Sequence, residues 1–368
     1  MKKLVLTLTL FFTVIAFAQK DELKTLKKIY AKETISEKDL EAYKAASDAL
    51  QNTAVEEADK VYAKFYKVMY PTVVLASKGE KATLQDKVKL YDPAFVKEYG
   101  TTIDETIDFE KKSDKKIYTD ELIEEKAQFK KELSTMAMSL NTASKFKEAS
   151  GVFYTLYTFD PKNEGKSLLN ASILAVQAKD YILAEKLYEE YYASNYFANG
   201  TVFYATNKAT GTEDELNSKE ERTKLVSLGA YEKSRDVKVS STKPEIIRTL
   251  AILAFQNGNL EKAKGYYAEA RVLLPNDEDL ATGEFNIYFN EGYKGLTEEA
   301  KLVEQINAST KDKKKYDELM AQRKAMFQKT IPAFEKAFAI KPNDANTKTI
   351  LKMAYEITGQ TEKAKAIN

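Results

Sequence analysis

The chain has 368 residues, 43% hydrophobic and 31% charged, with 57 Lys and Arg against 56 Asp and Glu for a net charge of +1. That composition can bury a core, but a near-zero balance offers no field for a polyanion, so a nucleic-acid partner is not expected. His, Cys and Trp are absent altogether, which removes Ser-His-Asp and Cys-His nucleophilic systems, imidazole or thiolate metal sites and disulfides, and no cofactor is expected.

Residues 1–18 carry Lys2 and Lys3, an apolar stretch from Leu4 to Phe17, and the small-residue pattern Ala16-Phe17-Ala18. This predicts a cleavable export signal, cut after Ala18. The stretch falls short of the roughly 20 apolar residues of a spanning helix, so no transmembrane span is expected in the mature chain. The expected location is the periplasm, with the cell surface or exterior as alternatives. Residues 19–128 follow with helical patterning, as in "VEEADKVYAKFYKVMYP", either as degenerate repeats or as a cap. Gly79, Pro93 and Gly100 predict a loop-rich interval over Ser77–Thr102.

A regular spacing begins in residues 129–198. Phe146, Ala149, Phe153, Leu156 and Pro161 are separated by three, four, three and five residues, and Tyr181, Ala184 and Tyr188 repeat the first three positions 35 residues later. Residues 199–243 interrupt the pattern. There "GTVFYATNKATGTEDEL" places β-branched and aromatic residues on both sides of Asn207–Gly211 and predicts a β-hairpin projecting from a helical array.

The pattern resumes over residues 244–368. A stripe of Ile247, Leu250, Ala251 and Ala254 precedes Gly258, and then come Ala263, Tyr267, Ala270 and Pro275. Phe334, Ala337 and Pro342 repeat this frame, Leu351 and Tyr355 precede Gly359, and Ala364 lies 34 residues beyond Thr330. Each unit therefore reads as two amphipathic helices joined at a glycine, a hairpin that cannot bury both faces without stacking on a neighbour. The alanines let helices approach, the aromatic fills the space between successive hairpins, and the proline ends the second helix. Residues 278–329 depart from the frame: Tyr288 and Gly292 fit, but extra helical length leaves the hairpin count open. At the start of that stretch, Asn276–Asp279 lacks the alternating ligands and central glycine of a calcium loop and predicts a helix N-cap.

These residues resemble the tetratricopeptide repeat, most closely over Pro244–Asp277 and next over Lys130–Asn163. The "YATN-K-TG" insertion ahead of Pro244-Glu245-Ile246 is similar to that of exported tetratricopeptide repeat proteins of Gram-negative bacteria. The resemblance implies an all-α solenoid of stacked antiparallel helix pairs with a short β-hairpin insertion. It also implies a groove lined by the first helices, at Met138, Asn141, Lys166, Asn170, Ile173, Arg248, Ile252, Phe255, Asn286 and Phe289. The expected function is a non-enzymatic protein-interaction scaffold of the cell envelope, holding a peptide or partner protein in the groove or on the insertion. The alternative is a helical outer-membrane-associated polysaccharide- or nutrient-binding protein, against which the absence of Trp counts. No carboxylate pair stands isolated in an apolar setting in the sequence, so a two-carboxylate hydrolase is disfavoured.

Overall fold

A computed structural model describes residues 20–367, so the expected export signal with Ala16 and Ala18 lies outside the described residues. The chain divides into two compact units, between Asp180 and Tyr181. No helix among the described residues is long and apolar enough to cross a membrane.

Among the described residues the secondary structure of the first unit is all helical. It comprises α1 (20–30), α2 (Glu37–Thr53), α3 (Glu57–Lys78), α4 (Leu84–Val88), α5 (Pro93–Lys112), α6 (Thr119–Thr142), α7 (Phe146–Phe159) and α8 (Gly165–Gln177). Ser36 and Asp39 form a reciprocal capping box that starts α2, satisfying backbone donors the helix itself cannot. Packing runs in sequence: α2 on α3, α3 on α5, α5 on α6 and α7, α6 on α7, and α7 on α8. The core is aromatic, with Tyr43, Phe65, Tyr66 and Tyr118 buried together and the rings of Phe65 and Tyr118 stacked at 4.7 Å. Glu110 is fully buried yet well partnered. It accepts from the Tyr62 hydroxyl at 3.1 Å and from the N–H groups of Ile117, Tyr118 and Thr119 at 2.9, 3.0 and 2.9 Å, which anchors the start of α6.

The loop-rich interval expected over Ser77–Thr102 is a correction, because most of it is helical. Pro93 occupies the first turn of α5, where its missing donor is harmless, behind an Asp92 carboxylate that accepts from the N–H groups of Ala94 and Phe95. Gly100 lies in the middle of α5, where a Cβ would sit 2.1 Å from the carbonyl oxygen of Phe159, so glycine permits the approach of α7. Two residues expected to break structure instead start one helix and seat another against it.

The second unit contains α9 (Tyr181–Tyr192), α10 (Asn195–Asn199), β1 (Thr201–Asn207), β2 (Glu213–Leu216), α11 (Lys219–Ser227) and β3 (Tyr231–Lys238). It continues through α12 (Lys243–Gln256), α13 (Leu260–Leu273), α14 (Glu278–Lys294), α15 (Glu299–Ala308), α16 (Lys313–Ile340), α17 (Ala345–Thr358) and α18 (Thr361–Ala366). Helices again pack on their successors: α12 on α13, α13 on α14, α14 on α16, α16 on α17, and α17 on α18. This is the nearest-neighbour logic of a stacked repeat. The irregular stretch resolves into a pair, α14 and α16, with α15 added between them; Leu302, Ile306 and Leu319 bury its contact with the lengthened α16.

The insertion forms a three-stranded antiparallel sheet in the order β2-β1-β3. The expected β1–β2 hairpin pairs Phe203 with Leu216 and Thr206 with Glu213, while β3 adds a further strand on the other edge of β1. Arg222 of α11 is buried over the ring of Phe203, donating to the carbonyl of Arg235 at 2.8 Å and pairing with Asp236 at 2.5 Å. The two ends of the excursion meet, since Val239 N–H donates to the Gly200 carbonyl at 3.1 Å. Helix α9 therefore packs directly on α12, as though the insertion were absent. A buried carboxylate fixes that contact: Glu185 accepts from Asn257 at 2.6 Å and from Asn259 at 2.9 Å.

Candidate functional site

The surface that could hold a partner is set by how the hairpins turn and nest. Helices α6, α8, α12 and α17 end on one shared turn, in which Ser144, Lys179, Gly258 and Gly359 take left-handed backbone at φ 57°, 59°, 76° and 80°. In each, the left-handed residue donates to the carbonyl three back, and the next residue donates to the carbonyl five back. This satisfies the helix end and reverses the chain.

The small residues lie where helices touch. Ala149, Ala184, Ala263, Ala270 and Ala337 are fully buried, and Ala364 nearly so. The aromatics Phe153, Tyr188, Tyr267 and Phe334 are buried beside them. Tyr267 of α13 rests on the next hairpin at Gly283 of α14, where a Cβ would meet its hydroxyl oxygen at 2.5 Å, and Phe334 of α16 rests on Gly292 of α14 at 2.7 Å. Pro161, Pro275 and Pro342 are exposed and occupy the turns after α7, α13 and α16. A spacing of about 34 residues, a common turn and nested alanines together make these tetratricopeptide-like hairpins.

The residues expected to line a groove all fall on first helices. In the first unit Met138 and Asn141 lie on α6, and Lys166, Asn170 and Ile173 on α8; Met138 is 61% and Ile173 39% exposed, Asn141 and Lys166 are exposed, and Asn170 is half-buried. In the second unit Arg248, Ile252 and Phe255 form one stripe of α12, and Asn286 and Phe289 one stripe of α14. Ile252 is 39% exposed, and the other four are half-buried.

Within the second unit these stripes are joined by charge. Arg248 Nε donates to Asp277 Oδ2 at 2.9 Å and Nη2 donates to Asp279 Oδ2 at 3.3 Å, so α12 reaches the start of α14. Asp277 is also the N-cap of α14, accepting from the Leu280 N–H at 3.0 Å. That backbone hydrogen bond, with Arg248 beside it, holds the Asp277 carboxyl below its ordinary range against a smaller opposing effect of burial. Phe289 stacks between buried Phe285 at 5.5 Å and Tyr293 at 6.2 Å and meets buried Phe334 of α16 edge-on at 5.7 Å, so of this row only Tyr293, 58% exposed, faces outward.

Sequence reading missed Asp277, Asp279 and Tyr293 as parts of this surface. Tyr293 was available, four residues past Phe289 on the same helical stripe. Asp277 and Asp279 have the local pattern of capping residues, and their link to Arg248 forms only because α13, packed on both α12 and α14, brings the start of α14 to α12.

No family model matches the sequence, and no curated relative matches it either. Among solved structures, the chain is similar to a tetratricopeptide repeat protein from Parabacteroides merdae, at 13% identity over 92% of this chain and 98% of that one, with a TM-score of 0.21. It is also similar to the P58(IPK) TPR domain, at 16% identity over 94% and 99% of the two chains, with a TM-score of 0.18. The hairpins are defined by the turns and contacts within each unit.

Proposed function

We propose that this chain is a non-enzymatic scaffold that binds a peptide or protein partner through the first-helix stripes of its hairpins, and that it acts in the cell envelope after export. The single observation behind this reading is the surface of α12 and α14. There Ile252 is exposed on α12 beside Arg248, and Tyr293 is exposed on α14 at the outer end of an aromatic row whose inner members, Phe285 and Phe289, pack into the core. Apolar anchors ringed by polar groups are what a partner helix or extended peptide needs from a groove. Export rests on Lys2, Lys3 and the Ala16-Phe17-Ala18 pattern.

Photo-crosslinking tests the reading. A benzoylphenylalanine placed at Ile252 or Tyr293 in the native cell should give a discrete adduct with one partner, whereas the same probe at Val272, 80% exposed on second helix α13, should give none. Equal adducts at all three positions, or adducts at Val272 alone, would move the binding surface off the first helices.

A further inference from the structure

A cleft in the first unit has a lining that none of the foregoing uses. It encloses about 260 Å³ beside α5 and α6. Phe95, Tyr99 and Phe129 supply apolar walls, with Phe95 and Tyr99 stacked at 5.4 Å and Tyr99 meeting Phe129 edge-on at 5.7 Å. The polar lining comes chiefly from one stripe of α6, where Glu125, Gln128 and Glu132 follow at helical spacing.

The electrostatics are one-sided. Among the described residues two carboxylates line the cleft, and no basic side chain does. Two lysines near them on α6 are turned to other acids: Lys126 pairs with Asp104 at 2.6 Å and Asp160 at 3.2 Å, and Lys130 with Asp160 at 2.9 Å and Glu164 at 2.7 Å. The partners of the cleft carboxylates are neutral. Glu125 accepts from the Tyr99 hydroxyl, and Glu132 from the Tyr91 hydroxyl at 3.2 Å and the Gln128 amide at 2.8 Å. Burial, opposed by the Tyr99 hydrogen bond and reinforced by nearby Glu121, pushes the Glu125 carboxyl above its ordinary range, as expected for a desolvated charge without a counter-ion.

We propose that this cleft binds a small organic cation, an alkylammonium or quaternary ammonium group on a short apolar body, with Glu125 and Glu132 as counter-charges and the rings of Phe95, Tyr99 and Phe129 against its methylene or methyl groups. A bare metal ion would leave those walls unused, and a neutral apolar ligand would leave the two carboxylates uncompensated. The cation answers both.

Isothermal titration of the protein with choline, with putrescine and with the neutral tert-butyl isostere of choline tests this. At least one of the two cations should bind saturably at millimolar concentration or below, and the isostere should not. Glu125→Gln, which keeps an acceptor for Tyr99, and Glu132→Gln, at the exposed rim, should each weaken binding about tenfold. Far-UV circular dichroism reports that the variants are folded, and Glu132→Gln alone carries the test if Glu125→Gln is not. Absence of saturable binding by both cations, equal binding of the isostere, or undiminished affinity in the folded variants would overturn the proposal.

Discussion

Ser144 and Lys179 hold left-handed backbone without being glycine, at φ 57° and 59°, in the same hydrogen-bonded turn that Gly258 and Gly359 close. A side chain in that conformation costs about 1 to 2 kcal/mol through the clash of Cβ with the following carbonyl. Ser144→Gly and Lys179→Gly should therefore each stabilise the protein, by about 0.5 to 1 kcal/mol after the added freedom of the unfolded chain is counted, read as a raised urea midpoint at unchanged slope. A lowered midpoint would mean that the side chains make contacts worth more than the strain. The two glycine turns were legible in the sequence because glycine is the default residue for that conformation. The serine and lysine turns were not, since nothing in either side chain announces a positive φ and only the surrounding helix packing imposes it.

Between elements, the contacts are made by what is missing from a side chain. Gly100, Gly283 and Gly292 leave room for Phe159, Tyr267 and Phe334, so helices close to distances that a methyl group would prevent. The alanine and aromatic positions could be read from spacing alone, because a period near 34 residues survives in the sequence. The third strand of the insertion could not: β3 reads YEKSRDVK, with an exposed polar run of Lys233, Ser234, Arg235 and Asp236, and lacks the β-branched character that marked β1. Such polarity suits an edge strand, which is protected from pairing with another chain by its charges. Because Gly200 and Val239 meet and α9 packs on α12, replacing residues 201–238 with a short Gly-Ser link should leave the cooperative thermal transition of the helices intact. A broadened or split melting curve would show that the sheet supports the array. The groove surface was legible only in part. Helical spacing marks Ile252 and Phe289, but the junction of Arg248 with Asp277 and Asp279 depends on α13 bringing the start of α14 to α12, which no local pattern encodes.

For the molecule as a whole, stability and binding surface have one origin. Second helices nest on first helices through small side chains, and that nesting commits one stripe of each first helix to burial while leaving another facing outward. Function then follows from surface chemistry rather than from an activated side chain. The measurement that bears most directly on this compares two substitutions on one helix by urea denaturation followed at the helical circular dichroism band. Ala263→Leu places a large side chain at a fully buried crossing of α13, and Ala268→Leu places the same side chain at an exposed position of that helix. Nesting through small side chains predicts a loss of about 1 to 3 kcal/mol for Ala263→Leu from overpacking and a change within about 0.5 kcal/mol for Ala268→Leu. Equal effects at the two positions would contradict it.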